Sequence, residues 1–468
     1  MDDRYADRPM STPLPFEPGS FRSLRVMGRH YDAAERTITL QYALDEQVEF
    51  TERITFESLP DGMPAPSGPG FERALLHLHI AAGTSYYKTA APDLVIVEDA
   101  MLSAGELEFH RHLYDEGLRE FAVTNGMVVP RPVVVTADGV DLAGAVGPPT
   151  PTPPSGNLPS GLVVPIGGGK DSMVLIESVR HLGPRLFAVN PHPLVIDLAA
   201  QAGLDLIVVR RRLDPGLAAL HEAGALNGHV PITAIVSLIA VVGGFVYGYD
   251  TIAMAVERSA SEETISVGGV PVNHQYSKSR DLELLLADLM RSTVSADLTY
   301  GSGLRPYSEL AISRAFARLT KYHGTFCSCN TAFRQDAGPG DRWCGNCPKC
   351  RFVALMLAPF LGRDALTAIL GRDLFADREQ IPGFAALMSD EDKPFECVGE
   401  RRESAAALWM LSGMEQWRDA AVVAALSATA ASLVTDEDVA DLLTPQIDLA
   451  YGDAAVASAV DVLLSGVR

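Results

Sequence analysis

The segment "LVVPIGGGKDSMVLIESV" (162–179) runs as an apolar strand, three consecutive glycines and a helix with apolar residues at helical spacing. The pattern repeats downstream: "RLFAVN" (185–190), "PLVIDLAAQAG" (193–203), "LDLIVVRRRL" (204–213) and "YDTIAMAVE" (249–257) read as strand, helix, strand and strand. Apolar strands of five to seven residues that alternate with helices predict a parallel sheet covered on both faces. In such a sheet ligands lie beyond the carboxyl ends of the strands, and Gly167, Gly168 and Gly169 fall where the first of these strands ends.

Backbone without Cβ can approach an anion closely, and the free N–H groups of the next helix point at it, so a phosphate is the natural guest. The plain alternative is a glycine turn without a ligand. Two common phosphate motifs do not fit. The P-loop needs Gly-Lys followed by Ser or Thr, and Lys170 is followed by Asp171; the dinucleotide fingerprint needs a glycine where Ser172 stands. "GGGKDS" (167–172) instead resembles the S-G-G-x-D-S loop of the PP-loop ATP pyrophosphatases. That resemblance implies an adenine nucleotide alpha hydrolase-like fold that binds the pyrophosphate end of ATP through Gly167, Gly168, Gly169, Lys170, Asp171 and Ser172. Gly167 replaces the first serine of that loop, removing one hydroxyl.

The rest of the chain divides around this core. "RTITLQYAL" and "VEFTERITF" (36–44, 48–56) alternate as antiparallel strands, preceded by a turn at "YDAAER"; two helical segments (72–88, 103–126) flank a short apolar run at 93–99. This predicts an N-terminal α+β domain over 1–146. A proline-rich linker at 147–160 follows, then the nucleotide domain over 161–360 and a helical C-terminal region over 361–468. At 468 residues two or three domains are expected.

The net charge of -21 disfavours a nucleic-acid or lipid-surface binder, which needs a basic field. The polar N-terminus lacks the apolar stretch of a signal peptide, so a cytoplasmic protein is expected. "VPITAIVSLIAVVGGFVYGY" (230–249) has the length of a membrane span, but it has no second span and no flanking basic cluster. It is read as a buried helix starting near Pro231.

Five of the six cysteines lie in "FCSCNTAFRQDAGPGDRWCGNCPKC" (326–350). C-x-x-C-x-x-C with a thiol upstream is metal spacing, and four thiolates favour zinc in a closed structural site. The expected ligands are Cys329, Cys344, Cys347 and Cys350. Cys327 is the competing choice for the first position and an iron–sulfur cluster the competing occupant. Disulfides are disfavoured in a reducing compartment.

Taken with "GTSYYK" (83–88), "NGHVPITAI" (227–235), "NHQYSKS" (273–279) and "KPFECVGE" (393–400), these motifs resemble the UDP-N-acetylmuramoyl-L-alanyl-L-glutamate epimerases, the MurL family. The resemblance implies ATP- and Mg2+-dependent inversion of the terminal L-Glu of UDP-MurNAc-L-Ala-L-Glu, with release of AMP and pyrophosphate. The partner is then a small-molecule substrate, with neither nucleic acid nor membrane. Candidate catalytic residues are Asp171 for the nucleotide or its magnesium, and Cys397, Lys278 and His274 for proton transfer; Tyr86, Tyr87 and Lys88 are further candidates. A lone Cys397 is otherwise a small buried apolar residue. Arg210, Arg211 and Arg212 could face an anionic substrate or form a solvated basic patch. Two other readings are open: a PP-loop enzyme resembling the 7-cyano-7-deazaguanine synthases or tRNA modifiers, and a non-catalytic zinc-stabilised ATP-binding module.

Overall fold

A computed structural model of the chain describes residues 16–57, 63–128, 132–136, 158–333, 342–449 and 451–466. Most of the proline-rich linker lies outside these residues. The chain forms two compact units: residues 1–154, 209–242 and 292–294, and residues 155–208, 243–291 and 295–468.

The first unit carries a mixed sheet of β1 (Ser23–Asp32), β2 (Thr37–Leu44), β3 (Val48–Phe56), β4 (Leu94–Val97) and β5 (Val133–Thr136). β1, β2 and β3 form an antiparallel meander, while β4 and β5 run parallel to β1. Strand β1 is absent from the sequence reading. Its pairing slips between Val26 and Arg29, and this irregularity destroys the two-residue alternation that marks a strand. The helices Pro69–Ala82 and Ala104–Asp115 occupy the segments read as helical, the second starting in a capping box between Ser103 and Glu106.

The second unit holds a sheet of β6 (Leu162–Pro165), β7 (Arg185–Val189), β8 (Leu206–Arg212), β9 (Thr251–Met254), a separate hairpin of β10 (Ile265–Val267) and β11 (Val270–Val272), and finally β12 (Thr299–Ser302). The residues from Val209 onward in β8 belong to the first unit, where they pair antiparallel with β3. The spatial order is β12-β9-β6-β7-β8, with β6 parallel to both β7 and β9, and β9 parallel to β12. Strand β6 is therefore the point at which the winding reverses. In open α/β sheets the crevice outside the carboxyl ends at such a reversal is where ligands bind.

The second unit's core joins sheet residues such as Val164, Leu186 and Ala253 to Leu355, Leu408 and Val460 of the C-terminal helices. The expected helical region is present from Arg363–Leu370 to Ala454–Leu464, packed into the same core as the sheet. The apolar segment at 230–249 forms the helix Ile232–Tyr247, and among the described residues no helix is long and apolar enough to cross a membrane.

Candidate active site

The carboxyl ends of β6, β9 and β12 are neighbours, and each delivers part of one site in the second unit. After β6 the chain passes through Gly167, Gly168 and Gly169 and enters the helix Lys170–Val179, whose first turn has no side-chain cap from Gly169. Gly168 cannot carry a side chain: a Cβ there would lie 2.5 Å from Phe333 and 2.6 Å from the carbonyl oxygen of Cys327. At Gly167 a Cβ would meet nothing within 4 Å. The Ser172 hydroxyl donates back to the carbonyls of Gly169 and Gly167, at 3.1 and 3.3 Å, closing the loop on itself.

Lys170 turns inward. Its ammonium is buried between Asp171, at 2.5 Å, and Glu309. Burial alone would lower the lysine's pKa, but the two carboxylates outweigh it and hold the group charged. Glu309 opens the helix Glu309–Phe316 beyond β12, and Glu257 follows β9 by three residues. Carboxylate oxygens of Asp171, Glu257 and Glu309 lie within 4.8 Å of one another. Burial, and then the charge of Asp171, push the Glu309 carboxyl upward, to about 8. Three hard oxygen donors from three strand ends suit a magnesium-type cation. Glu257 and Glu309 escaped the sequence reading because neither lies in a recognisable spacing with Asp171.

The second group is a thiol among cations. Lys278, in the 3-10 turn Tyr276–Lys278, donates to Cys397 Sγ at 3.3 Å. His274 also bonds the Cys397 side chain, and Lys349 donates to the Cys397 carbonyl. Burial would raise the thiol's pKa. Lys278, His274 and Lys349 overcome that and bring it down to about 5, so the sulfur is a thiolate at neutral pH. The charges of Glu257 and Asp171 in turn reach Lys278, which ties this group to the carboxylates. The three proton-transfer candidates named from sequence thus form one cluster, and Cys397 is not an inert apolar residue.

The metal cysteines also converge. Sulfurs of Cys329, Cys344, Cys347 and Cys350 all lie within 4.8 Å of one another, with Cys344 to Cys350 at 3.8 Å and Cys347 to Cys329 at 3.9 Å. Thiolates at about 2.3 Å from a tetrahedral ion are about 3.8 Å apart, so the set fits zinc. Backbone N–H groups of Cys344, Asn346 and Cys350 point at Cys329, Cys344 and Cys347 sulfurs, each at 3.4 Å. The turn that allows this needs Gly345, whose φ of +69° suits glycine. Cys327 stands outside the set; its sulfur lies 2.8 Å from the Arg342 carbonyl.

The remaining candidates belong to the first unit. Tyr86 stacks on Tyr42 and its hydroxyl takes the N–H of Asp214; Tyr87 packs edge-on against Tyr114. Both are core residues. Lys88 donates to Asn227 Oδ1 at 2.6 Å, joining two of the recognised motifs. Arg211 is not part of a solvated patch. It is buried in a two-point ion pair with Glu52 and also holds Ser85, while Arg210 pairs with Glu57.

Fold and site together define an α/β enzyme with a glycine loop at its switch point. The chain matches the MurL N-terminal domain over residues 15–303 and the MurL C-terminal domain over 325–441. It is 41% identical to a protein of Salinispora tropica over 85% of this chain and 86% of that one. It is 37% identical to one of Xanthomonas oryzae pv. oryzae over 87% and 90%. Both relatives, and a third from a Micromonospora species at 41%, are named UDP-N-acetyl-alpha-D-muramoyl-L-alanyl-L-glutamate epimerase. No solved structure matches the chain. The chain belongs to the MurL family of epimerases, as the motif resemblance implied.

Proposed function

We propose that this protein inverts the terminal L-Glu of UDP-MurNAc-L-Ala-L-Glu, using ATP on a PP-loop-type fold to form an acyl-adenylate and releasing AMP and pyrophosphate. The observation that carries this reading is that the Lys278–Cys397 pair and a cluster of three carboxylates beside the glycine loop lie in one unit, with the charges of Glu257 and Asp171 reaching Lys278.

The two epimers are close in free energy, so the obstacle is kinetic. Taking the α-proton beside an ionised carboxylate would place a second negative charge next to the first. Joining the α-carboxylate oxygen to the α-phosphorus of ATP expels pyrophosphate and removes the first charge. The electron pair left when Cα loses its proton then passes into the adjacent carbonyl. Gly167, Gly168 and Gly169 would hold the pyrophosphate end of ATP with backbone N–H groups, an assignment their place at the switch point supports. Asp171, Glu257 and Glu309 would hold magnesium, which offsets the charge of the departing pyrophosphate. Cys397, kept ionised by Lys278 and bonded by His274, serves as one of the two groups that move the α-proton. Water then cleaves the anhydride to AMP and the D-Glu product. Zinc on the four cysteines has a structural part only.

The test is proton exchange in deuterated water. Deuterium should enter the glutamate α-carbon only with both ATP and magnesium, and a non-cleavable ATP analogue should not support it. Rapid α-deuteration without nucleotide would overturn the mechanism. Pyrophosphate release with glutamate left wholly L after product hydrolysis would point to a different adenylated substrate.

A further inference from the structure

Arg305 follows β12 by three residues and is 1% exposed. One terminal nitrogen of its guanidinium donates to the carbonyl of Glu257 at 2.7 Å. The other donates to the carbonyl of Lys278 at 2.8 Å and to the Glu283 carboxylate at 2.7 Å. Its Nε is buried without a partner among the described residues. Here the orientation is set by the two carbonyls that the terminal nitrogens reach.

Those carbonyls belong to the residues that join the two halves of the site. Glu257 carries one of the three clustered carboxylates, and Lys278 touches the sulfur of Cys397. Glu257 and Lys278 sit on separate loops, one beyond β9 and one in the turn before the helix Arg280–Thr293. Glu283, on the first turn of that helix, anchors the guanidinium from the same side as Lys278. Planar, rigid and permanently charged, a guanidinium holds such a geometry in a way that a flexible ammonium cannot.

We propose that Arg305 is a positioning residue that fixes the spacing between the carboxylate cluster and the Lys278–Cys397 pair. It acts through the two backbone carbonyls and touches no substrate. The functional consequence rests on the epimerase reading; the geometric one does not. Without the fork, the Lys278 turn moves relative to the Glu257 loop, and its ammonium no longer sits at the sulfur.

The experiment compares wild type with Arg305→Lys, which keeps the charge and loses the fork. The first readout is alkylation of Cys397 by iodoacetamide, followed by peptide mass spectrometry, as the ratio of rates at about pH 6.5 and about pH 9. This ratio should fall about tenfold in the variant, because a sulfur without its ammonium is less ionised at the lower pH. The second is steady-state kinetics, where kcat should fall about tenfold or more with the KM for the dipeptide substrate changed less than about threefold. An unchanged alkylation ratio in folded Arg305→Lys overturns the proposal. A changed ratio in a protein whose wild type shows no epimerase activity upholds the positioning role and removes the epimerase reading instead. If Arg305→Lys does not fold, Glu283→Gln takes its place. A lowered ratio there supports the proposal, and an unchanged ratio with unchanged kcat overturns it.

Discussion

The backbone N–H of Cys327 donates to the carbonyl of Gly168 at 2.8 Å, so the segment that starts the thiolate cluster is bonded to the glycine loop. Phe333, a little further along, closes over the same glycine. The four-cysteine cluster is therefore tied to the loop, and a metal held there would bear on it. About one zinc per chain is expected by elemental analysis. Cys347→Ser should lose the metal and most soluble protein, because metal-binding energy in such a site is folding energy. Partial removal with a chelator should weaken nucleotide binding before the protein unfolds, readable by calorimetric titration with ATP. Iron with visible absorbance would replace zinc by a cluster.

Gly168→Ala should destabilise the protein by about 1–3 kcal/mol, because its Cβ meets a backbone carbonyl and a packed ring. Gly167→Ala should stay within about 0.5 kcal/mol, its Cβ entering open space. Denaturant melts of the two variants check the difference. Equal losses would mean that the loop and the Cys327 segment do not pack as described.

Asp171→Ala should abolish pyrophosphate release while leaving a folded protein, since the side chain lies at the sheet's ligand edge. Glu257→Gln should raise the magnesium concentration needed for half-maximal pyrophosphate release about tenfold or more, because one charged oxygen donor is lost. If magnesium dependence is unchanged in a folded, active Glu257→Gln, this carboxylate is not a cation ligand.

The Cys397 thiol, at about 5, should react with iodoacetamide nearly as fast at pH 6 as at pH 8, because about 90% of it is already thiolate at the lower pH. An ordinary thiol would be ionised to less than about 1% there. The sign for stability follows. The folded pKa is depressed, so the thiolate's contribution is complete above the unfolded thiol's pKa of about 8.5 and is lost as pH falls toward 5. Lys278→Met should shift the alkylation profile up by several pH units, since burial then acts with less opposition. Similar profiles for the two proteins would show that Lys278 does not hold the thiolate.

Much of this was legible along the chain because it is written in local pattern. The run from Leu162 to Val179 states strand, bare loop and helix within one short window, and the structure places all three there. The cysteine spacing marked a four-thiol site and left Cys327 and Cys329 competing for its first position; the structure brings the sulfurs of Cys329, Cys344, Cys347 and Cys350 within 4.8 Å of one another. The apolar segment at 230–249 has the length of a span but forms the helix Ile232–Tyr247, because its neighbours in the protein cover it. Strand β1 was missed where its alternation breaks.

Tertiary structure alone decided which distant residues share the site. Glu257 and Glu309 join Asp171 only because β9 and β12 lie on one side of β6 while β7 and β8 lie on the other, an order that periodicity does not encode. Cys397 becomes a thiolate only because Lys278, His274 and Lys349 come from other segments to surround it. Arg305 has no motif around it; its role exists only in the two carbonyls it reaches. Residue pattern reports what each segment does with its own backbone. A site charge is set by neighbours a few ångströms away in space, and these are chosen by strand order and packing.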